Sequence, residues 1–149
     1  MTAYMKTHSE PLQDAWLDAY GHLNEAYYLV PFSNASWALQ DRFDIGTAYF
    51  DRTGGALYTV ETHLRYLKEV RAPAVFEIES LIVAVAPKKL HFAHVMTVDG
   101  IERATFECLA LHYDSKAGRT APFPAAVQAA LAAAAVSEPP DWVGRKIGI

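Results

Sequence analysis

"DAYGHLNEAYYL", residues 18–29, sets an acid, a glycine, a histidine and an asparagine close together and then runs into aromatics at helical spacing. Asn24 is a good helix N-cap, because its side-chain oxygen can accept from the unpaired N–H groups of a first turn. Beyond it Tyr28, Phe32, Ala35, Leu39 and Phe43 recur at spacings of four and three. That pattern draws one apolar stripe along a helix from about residue 24 to about 43. Pro31 falls in its second turn and is expected to kink or restart it. The stretch therefore reads as a turn that delivers the chain into a long helix.

Period-two alternation takes over downstream. "DIGTAYFDRTGG", residues 44–55, reads as a helix end and a loop closed by two glycines. In "ALYTVETHLRYLKEV", residues 56–70, Tyr58, Val60, Leu64 and Tyr66 alternate with Thr59, Glu61, His63 and Arg65. This predicts a long strand with the first set on its buried face. Strands are expected over 74–86, 90–98 and 101–115, the last two joined by an Asp99–Gly100 hairpin. Pro124 opens an alanine-rich helix to about residue 136. A short strand near residues 11–16 precedes the long helix. The order predicts an α+β fold in which an antiparallel five-stranded sheet covers a long central helix. Residues 1–136 form one domain and 137–149 an irregular tail. A single sheet with exposed edges calls for a homodimer or homotetramer.

Bulk properties remove several function classes. The net charge is −4, so no basic surface for nucleic acid is expected. A single cysteine, Cys108, permits no internal disulfide, and a cytoplasmic setting is expected. No signal-peptide run opens the chain, and no stretch approaches the roughly 18 apolar residues of a membrane span. Neither Cys-x-x-Cys nor His-Glu-x-x-His occurs, nor a dinucleotide or phosphate-loop glycine pattern, nor a Gly-x-Ser-x-Gly elbow. No metal and no cofactor are therefore expected.

The Asp18, Gly21, His22, Asn24 and Tyr28 pattern, followed by meandering strands, resembles the hotdog-fold acyl-CoA thioesterases. "YTVETHLRYLKE" (58–69), "KKLHFAH" (88–94) and "GRTAPFPAAV" (118–127) are similar to the thioesterase domain associated with carnitine 3-dehydrogenase. That resemblance implies the hotdog fold and hydrolysis of a short acyl-CoA, with betainyl-CoA as leading substrate. It also implies that Asp18 is the catalytic carboxylate.

The residues suit that chemistry. Thioester hydrolysis passes through an oxyanion, and a helix start supplies unpaired N–H groups to stabilise it. Gly21 lets the backbone approach a ligand closely. Asp18 can act as general base or as nucleophile, and it also fits a plain turn-forming aspartate. His22 fits a base or a loop contact, and Asn24 is a cap that shapes the oxyanion site. Gly21, Leu23, Glu61 and His63 are candidates for substrate contact. Trp37, Tyr49 and Tyr58 are candidates for an aromatic cage around a quaternary ammonium. Lys88, Lys89, His91 and Arg119 are candidates for the CoA phosphates. A thioesterase for another short or aromatic acyl-CoA and a noncatalytic acyl-CoA-binding protein remain open; the second has no need of a carboxylate beside the carbonyl.

Overall fold

A computed structural model describes residues 4–149. Strand β1 (Met5–Pro11) is followed by helices α1 (Leu29–Arg42) and α2 (Thr47–Thr53). Strands β2 (Gly55–Tyr66), β3 (Val75–Ala86), β4 (Lys89–Val98), β5 (Ile101–Asp114) and β6 (Arg119–Thr120) come next, and helix α3 (Ala125–Ala134) closes the series. The strands form one antiparallel sheet in the order β1-β3-β4-β5-β2. The two-residue β6 pairs with β5 beyond the point where β4 begins.

Helix α1 lies against β1, β3 and β4. Its stripe of Phe32, Ala35 and Leu39 is buried as the spacing predicts, with Tyr28 just ahead of it. The Phe32 ring stacks on Phe106 of β5 at 5.2 Å between centroids. This is the hotdog arrangement, a sheet wrapped on one face around a helix. A file of polar groups pins the two layers together. Ser36 Oγ lies 2.9 Å from His94 Nε2, His94 Nδ1 lies 2.6 Å from Ser80 Oγ, and Ser80 Oγ lies 2.7 Å from Thr7 Oγ1. Burial pushes the His94 imidazole down to about 3, so it sits in the core uncharged.

Asp99 and Gly100 both take positive φ, 53° and 73°, as the expected two-residue hairpin requires. Elsewhere the expectations need correction. The first strand lies earlier than residues 11–16: Pro11 ends β1, and Asp14–Trp16 is a 3-10 turn. The helix expected from residue 24 comes in two pieces, a 3-10 turn over Glu25–Tyr28 and then α1. Pro31 sits in the first turn of α1, where its missing N–H leaves no gap. Residues 44–55 contain helix α2, whose Tyr49 is buried and whose end is capped by Gly54 at φ 78°.

Strand β2 is the largest departure. It is an edge strand, and its register slips between Thr59 and Glu61. The bulge at Val60 consumes one residue and turns the alternation over. Leu64 and Tyr66 pair with Phe106 and Ala104 on the helix side, whereas Tyr58 pairs with Leu111 on the outer face together with Glu61 and His63. Tyr58, Val60 and Tyr66 are 46%, 53% and 50% exposed, so the expected buried face is open. The tail after α3 forms no helix or strand but follows the sheet: Val136 N donates to Ile82 O, and Gly144 N donates to both carboxylate oxygens of Glu107. No helix among the described residues is long and apolar enough to cross a membrane.

Candidate active site

Residues 17–24 form a tight turn between the 3-10 turn at Asp14–Trp16 and the start of the helix. Asp18 N donates to His22 O at 2.8 Å, and Gly21 N donates to Asp18 O at 3.0 Å. Gly21 takes φ 78°, a conformation that side chains resist. The Asp18 carboxylate accepts from Tyr20 N at 2.8 Å and from His22 N at 3.2 Å, both through Oδ1. Two amides thus fix the orientation of this carboxylate, and no hydrogen bond engages its other oxygen among the described residues. A carboxylate held by one oxygen keeps the second for a ligand.

The neighbouring amides are almost all committed. Leu23 N donates to Val70 O and Asn24 N to Trp16 O. Asn24 Oδ1 accepts from Ala26 N at 2.9 Å, the cap predicted for it, and Tyr27 N donates to Asn24 O. Counting from Tyr20 to Tyr27, Glu25 N–H is left without a protein acceptor among the described residues. Glu25 is exposed, and the first N–H groups of a helical turn have no partner within it, so this amide is open to a ligand. Reading the sequence did not single it out, because a backbone amide becomes identifiable only once its neighbours are assigned.

Other contributors also come from outside the turn. His22 is half-buried with Nε2 shut away from solvent and unpaired, 3.9 Å from Glu69 Oε1. Arg71 Nε lies 3.7 Å from the same oxygen, and its guanidinium passes over Gly21. Tyr28, expected to be core, is buried, but its phenol lies within the electrostatic reach of Asp18. Burial raises its pKa first, then the neighbouring Tyr66, with Arg103 acting in the opposite sense. The Tyr66 ring meets Tyr28 edge-on at 4.9 Å, and its hydroxyl donates to Glu25 O at 3.1 Å.

Asp18, Gly21, His22 and Asn24 are brought together as anticipated. Leu23 is in the same turn but its side chain is buried in the core. Trp37, Tyr49 and Tyr58 occupy separate places within this chain. Trp37 is half-exposed on α1. Tyr49 is buried with its hydroxyl 2.9 Å from His112 Nε2, and Tyr58 stacks on Tyr113 at 4.6 Å on the outer face. Glu61, His63 and His91 meet elsewhere, lining a cavity of about 320 Å³ on the outer face under tail residues Gly144–Lys146. There His91 Nε2 lies 2.7 Å from Glu107 Oε1.

Lys88, Lys89 and Arg119 gather at the far end of β5, where Lys88 O accepts from His112 N and Arg119 pairs with Asp114. The Asp18 turn adjoins the opposite end of the sheet through Val70. The length of β4, about 30 Å at 3.4 Å per residue, separates the two groups within one chain. Among the described residues no cluster of histidine, cysteine or carboxylate groups could hold a metal ion.

Comparison with known proteins places this geometry. Residues 12–131 match the family described as the thioesterase-like superfamily. This chain belongs to that superfamily. The betainyl-CoA thioesterase of Pseudomonas aeruginosa is 35% identical over 155 aligned positions, covering 100% of this chain and 98% of the relative. The L-carnitine dehydrogenase/betainyl-CoA thioesterase of Agrobacterium fabrum is 35% identical over 85% of this chain, which corresponds to 26% of that longer protein. Among solved structures, a Staphylococcus aureus protein characterised in complex with CoA superposes with a TM-score of 0.85. It covers 95% of this chain and 93% of its own at 22% identity, so it supports the hotdog fold of this thioesterase-like chain.

Proposed function

We propose that this chain hydrolyses betainyl-CoA to betaine and CoA, working as a homodimer or homotetramer in the reducing cytoplasm. The observation that carries the chemistry is the Asp18 carboxylate, held by two amides on one oxygen and free on the other at a helix start with one open N–H. As general base, Asp18 takes a proton from water while the water oxygen attacks the thioester carbonyl. Glu25 N–H stabilises the oxyanion, and collapse expels CoA thiolate, which takes up a proton. As nucleophile, Asp18 attacks the carbonyl itself, releases CoA thiolate and forms a mixed anhydride that water then opens. A single turnover in heavy-oxygen water bears on the choice: label in the Asp18 carboxylate establishes the second route with water opening the anhydride at the Asp18 carbonyl, because the first route never labels Asp18.

The acyl group narrows the specificity problem. In a betainyl thioester the nitrogen lies two bonds from the carbonyl carbon, about 2.5 Å by ordinary N–Cα–C geometry. A cation so close to the reacting carbon must be recognised beside Asp18. Aromatic surfaces in or beside this turn include Tyr20, 81% exposed in the turn itself, and Tyr66 against Tyr28. These take the place of Trp37, Tyr49 and Tyr58. A cation–π contact contributes about 0.5–1 kcal/mol at an exposed ring and about 2 kcal/mol once the bound ligand excludes water from it. Betainyl-CoA should therefore exceed its neutral isostere tert-butylacetyl-CoA by at least about tenfold in kcat/KM, at 1.4 kcal/mol per decade. Equal values would leave a short-chain acyl-CoA thioesterase without cation selectivity.

The CoA phosphates are assigned to Lys88 and Lys89 of the partner subunit. Strand β2 offers an unpaired edge, and two such edges paired antiparallel about their centres set the Tyr58 end of one against the Tyr66 end of the other. Lys89 lies in the same cross-strand row as Leu111 and Tyr58. The partner's lysines then approach the Asp18 turn that their own chain holds them away from.

A further inference from the structure

Arg103 lies on β5, outside every motif that defines the Asp18 turn, and it carries a half-buried charge with no carboxylate within ion-pair distance among the described residues. Its guanidinium donates to Glu69 O at 2.7 Å through Nη1 and to Val98 O at 3.3 Å through Nη2. Its own carbonyl accepts from Leu67 N at 2.8 Å and from Lys68 N at 3.2 Å. Its Nε is buried and unpaired. A partly buried cation lacking a counter-ion is a poor device for stability alone. What the clamp holds is more telling. Three successive residues of the segment it grips touch the turn: Glu69 reaches toward His22, Val70 O accepts from Leu23 N at 2.8 Å, and Arg71 overlies Gly21.

We propose that Arg103 is a positioning residue for the catalytic turn, acting through segment 67–71 to keep the Asp18 carboxylate aligned. The proposal rests on Asp18 being the catalytic group. Arg103 does not touch substrate; it fixes the backbone on which the Leu23 and His22 contacts depend. Its influence on the Tyr28 phenol places its charge in the same neighbourhood as Asp18. The planar fork addresses Glu69 O and Val98 O from two nitrogens in a fixed geometry, which the single, flexible lysine nitrogen does not reproduce.

The test compares Arg103→Gln and Arg103→Lys in the full chain. Amide hydrogen exchange is read at Leu23 and along β4, and kcat and KM are measured with betainyl-CoA. Arg103→Gln should speed exchange at Leu23 at least about tenfold while β4 stays protected. It should lower kcat at least about tenfold with KM changed by less than about threefold, because small misplacements of a reacting group are costly in the chemical step. Arg103→Lys should fall between the glutamine variant and the parent in both readouts. Unchanged Leu23 exchange, exchange accelerated equally throughout the sheet, or undiminished kcat would overturn the proposal. So would failure of both variants to fold, which would make Arg103 a fold residue. Exchange needs no substrate, so a parent chain inactive on every thioester would remove the functional reading and leave the positioning measurement standing.

Discussion

The two ends of the sheet are built on the same strands and carry opposite designs. At the end marked by Tyr66, Val98 and Val70, almost every backbone amide from Tyr20 to Tyr27 has an acceptor, and a carboxylate is fixed by two of them. At the other end Lys88, Lys89 and Arg119 stand exposed around a turn and a two-residue strand. The first arrangement suits a reacting group, which must be held still. The second suits a flexible phosphate, for which mobile cations suffice. If this division is right, substitutions at the two ends will alter different kinetic parameters.

The largest effect belongs to Asp18→Asn. Asparagine retains an oxygen for the Tyr20 and His22 amides, so the turn should persist. It neither accepts a proton usefully nor attacks, and kcat should fall at least about 10²-fold, the lower range for loss of a general base. Circular dichroism and the melting temperature should match the parent. A folded variant with near-parental kcat would remove Asp18 from the mechanism and dissolve the contrast between the ends.

Which parts of this contrast were legible in the sequence follows from the range of the interactions. Asn24 as a cap, the α1 stripe and the Asp99–Gly100 hairpin depend on neighbours a few residues away, and the local pattern contains them. The bulge at Val60 does not announce itself, because one extra residue reverses the faces of Tyr58 and its neighbours without breaking the alternation. Helix α2 was hidden for a different reason. Its seven residues owe their order to Tyr49 packing on His112 of β5, a contact far along the chain. The candidate site divides the same way. Asp18, Gly21, His22 and Asn24 form a local turn, but Glu69, Arg71 and Arg103 join it only because the sheet returns them there. The separate placements of Trp37, Tyr49 and Tyr58 within one chain show that nearness to helix and strand ends in sequence is no measure of nearness in space.

Between the two ends His94 offers a control. It is buried among Ser36, Ser80 and the Phe32 and Phe106 rings, and its folded pKa is lowered from 6.5 to about 3. Above pH 6.5 the imidazole is neutral in folded and unfolded chains alike, and its contribution is fully present. Below 6.5 the unfolded chain takes up a proton that the folded chain refuses, so stability falls with pH until the folded group titrates near 3. The loss approaches about 1.4 kcal/mol per pH unit, or about 2 kcal/mol at 1.5 units below 6.5. Urea midpoints of the parent should drop over this window more than those of His94→Gln. Because the network joins α1 to β1, β3 and β4, kcat and KM near neutral pH should move together or not at all. A parental midpoint independent of pH between 6.5 and 4 would refute the neutral, buried imidazole.

The smallest effect tests the far end, and it also tests which chain that end serves. Replacing Lys88 and Lys89 together by alanine should raise KM about tenfold with little change in kcat, the loss expected for one charge-assisted contact of about 1.5 kcal/mol. The difference from the parent should shrink as salt rises, since exposed charges are screened within roughly 8 Å at physiological ionic strength. The sharper form mixes subunits. In a dimer joined through β2, a protomer carrying Asp18→Asn and one carrying the paired alanines assemble one site with an intact carboxylate and intact partner lysines. Dissociating and reassociating the two variants together should then produce low-KM turnover that neither shows alone. If the lysines served their own chain's site, the mixture would show only the high KM of the alanine variant. The measurement therefore decides whether the two ends of one sheet belong to the same active site or to two different ones.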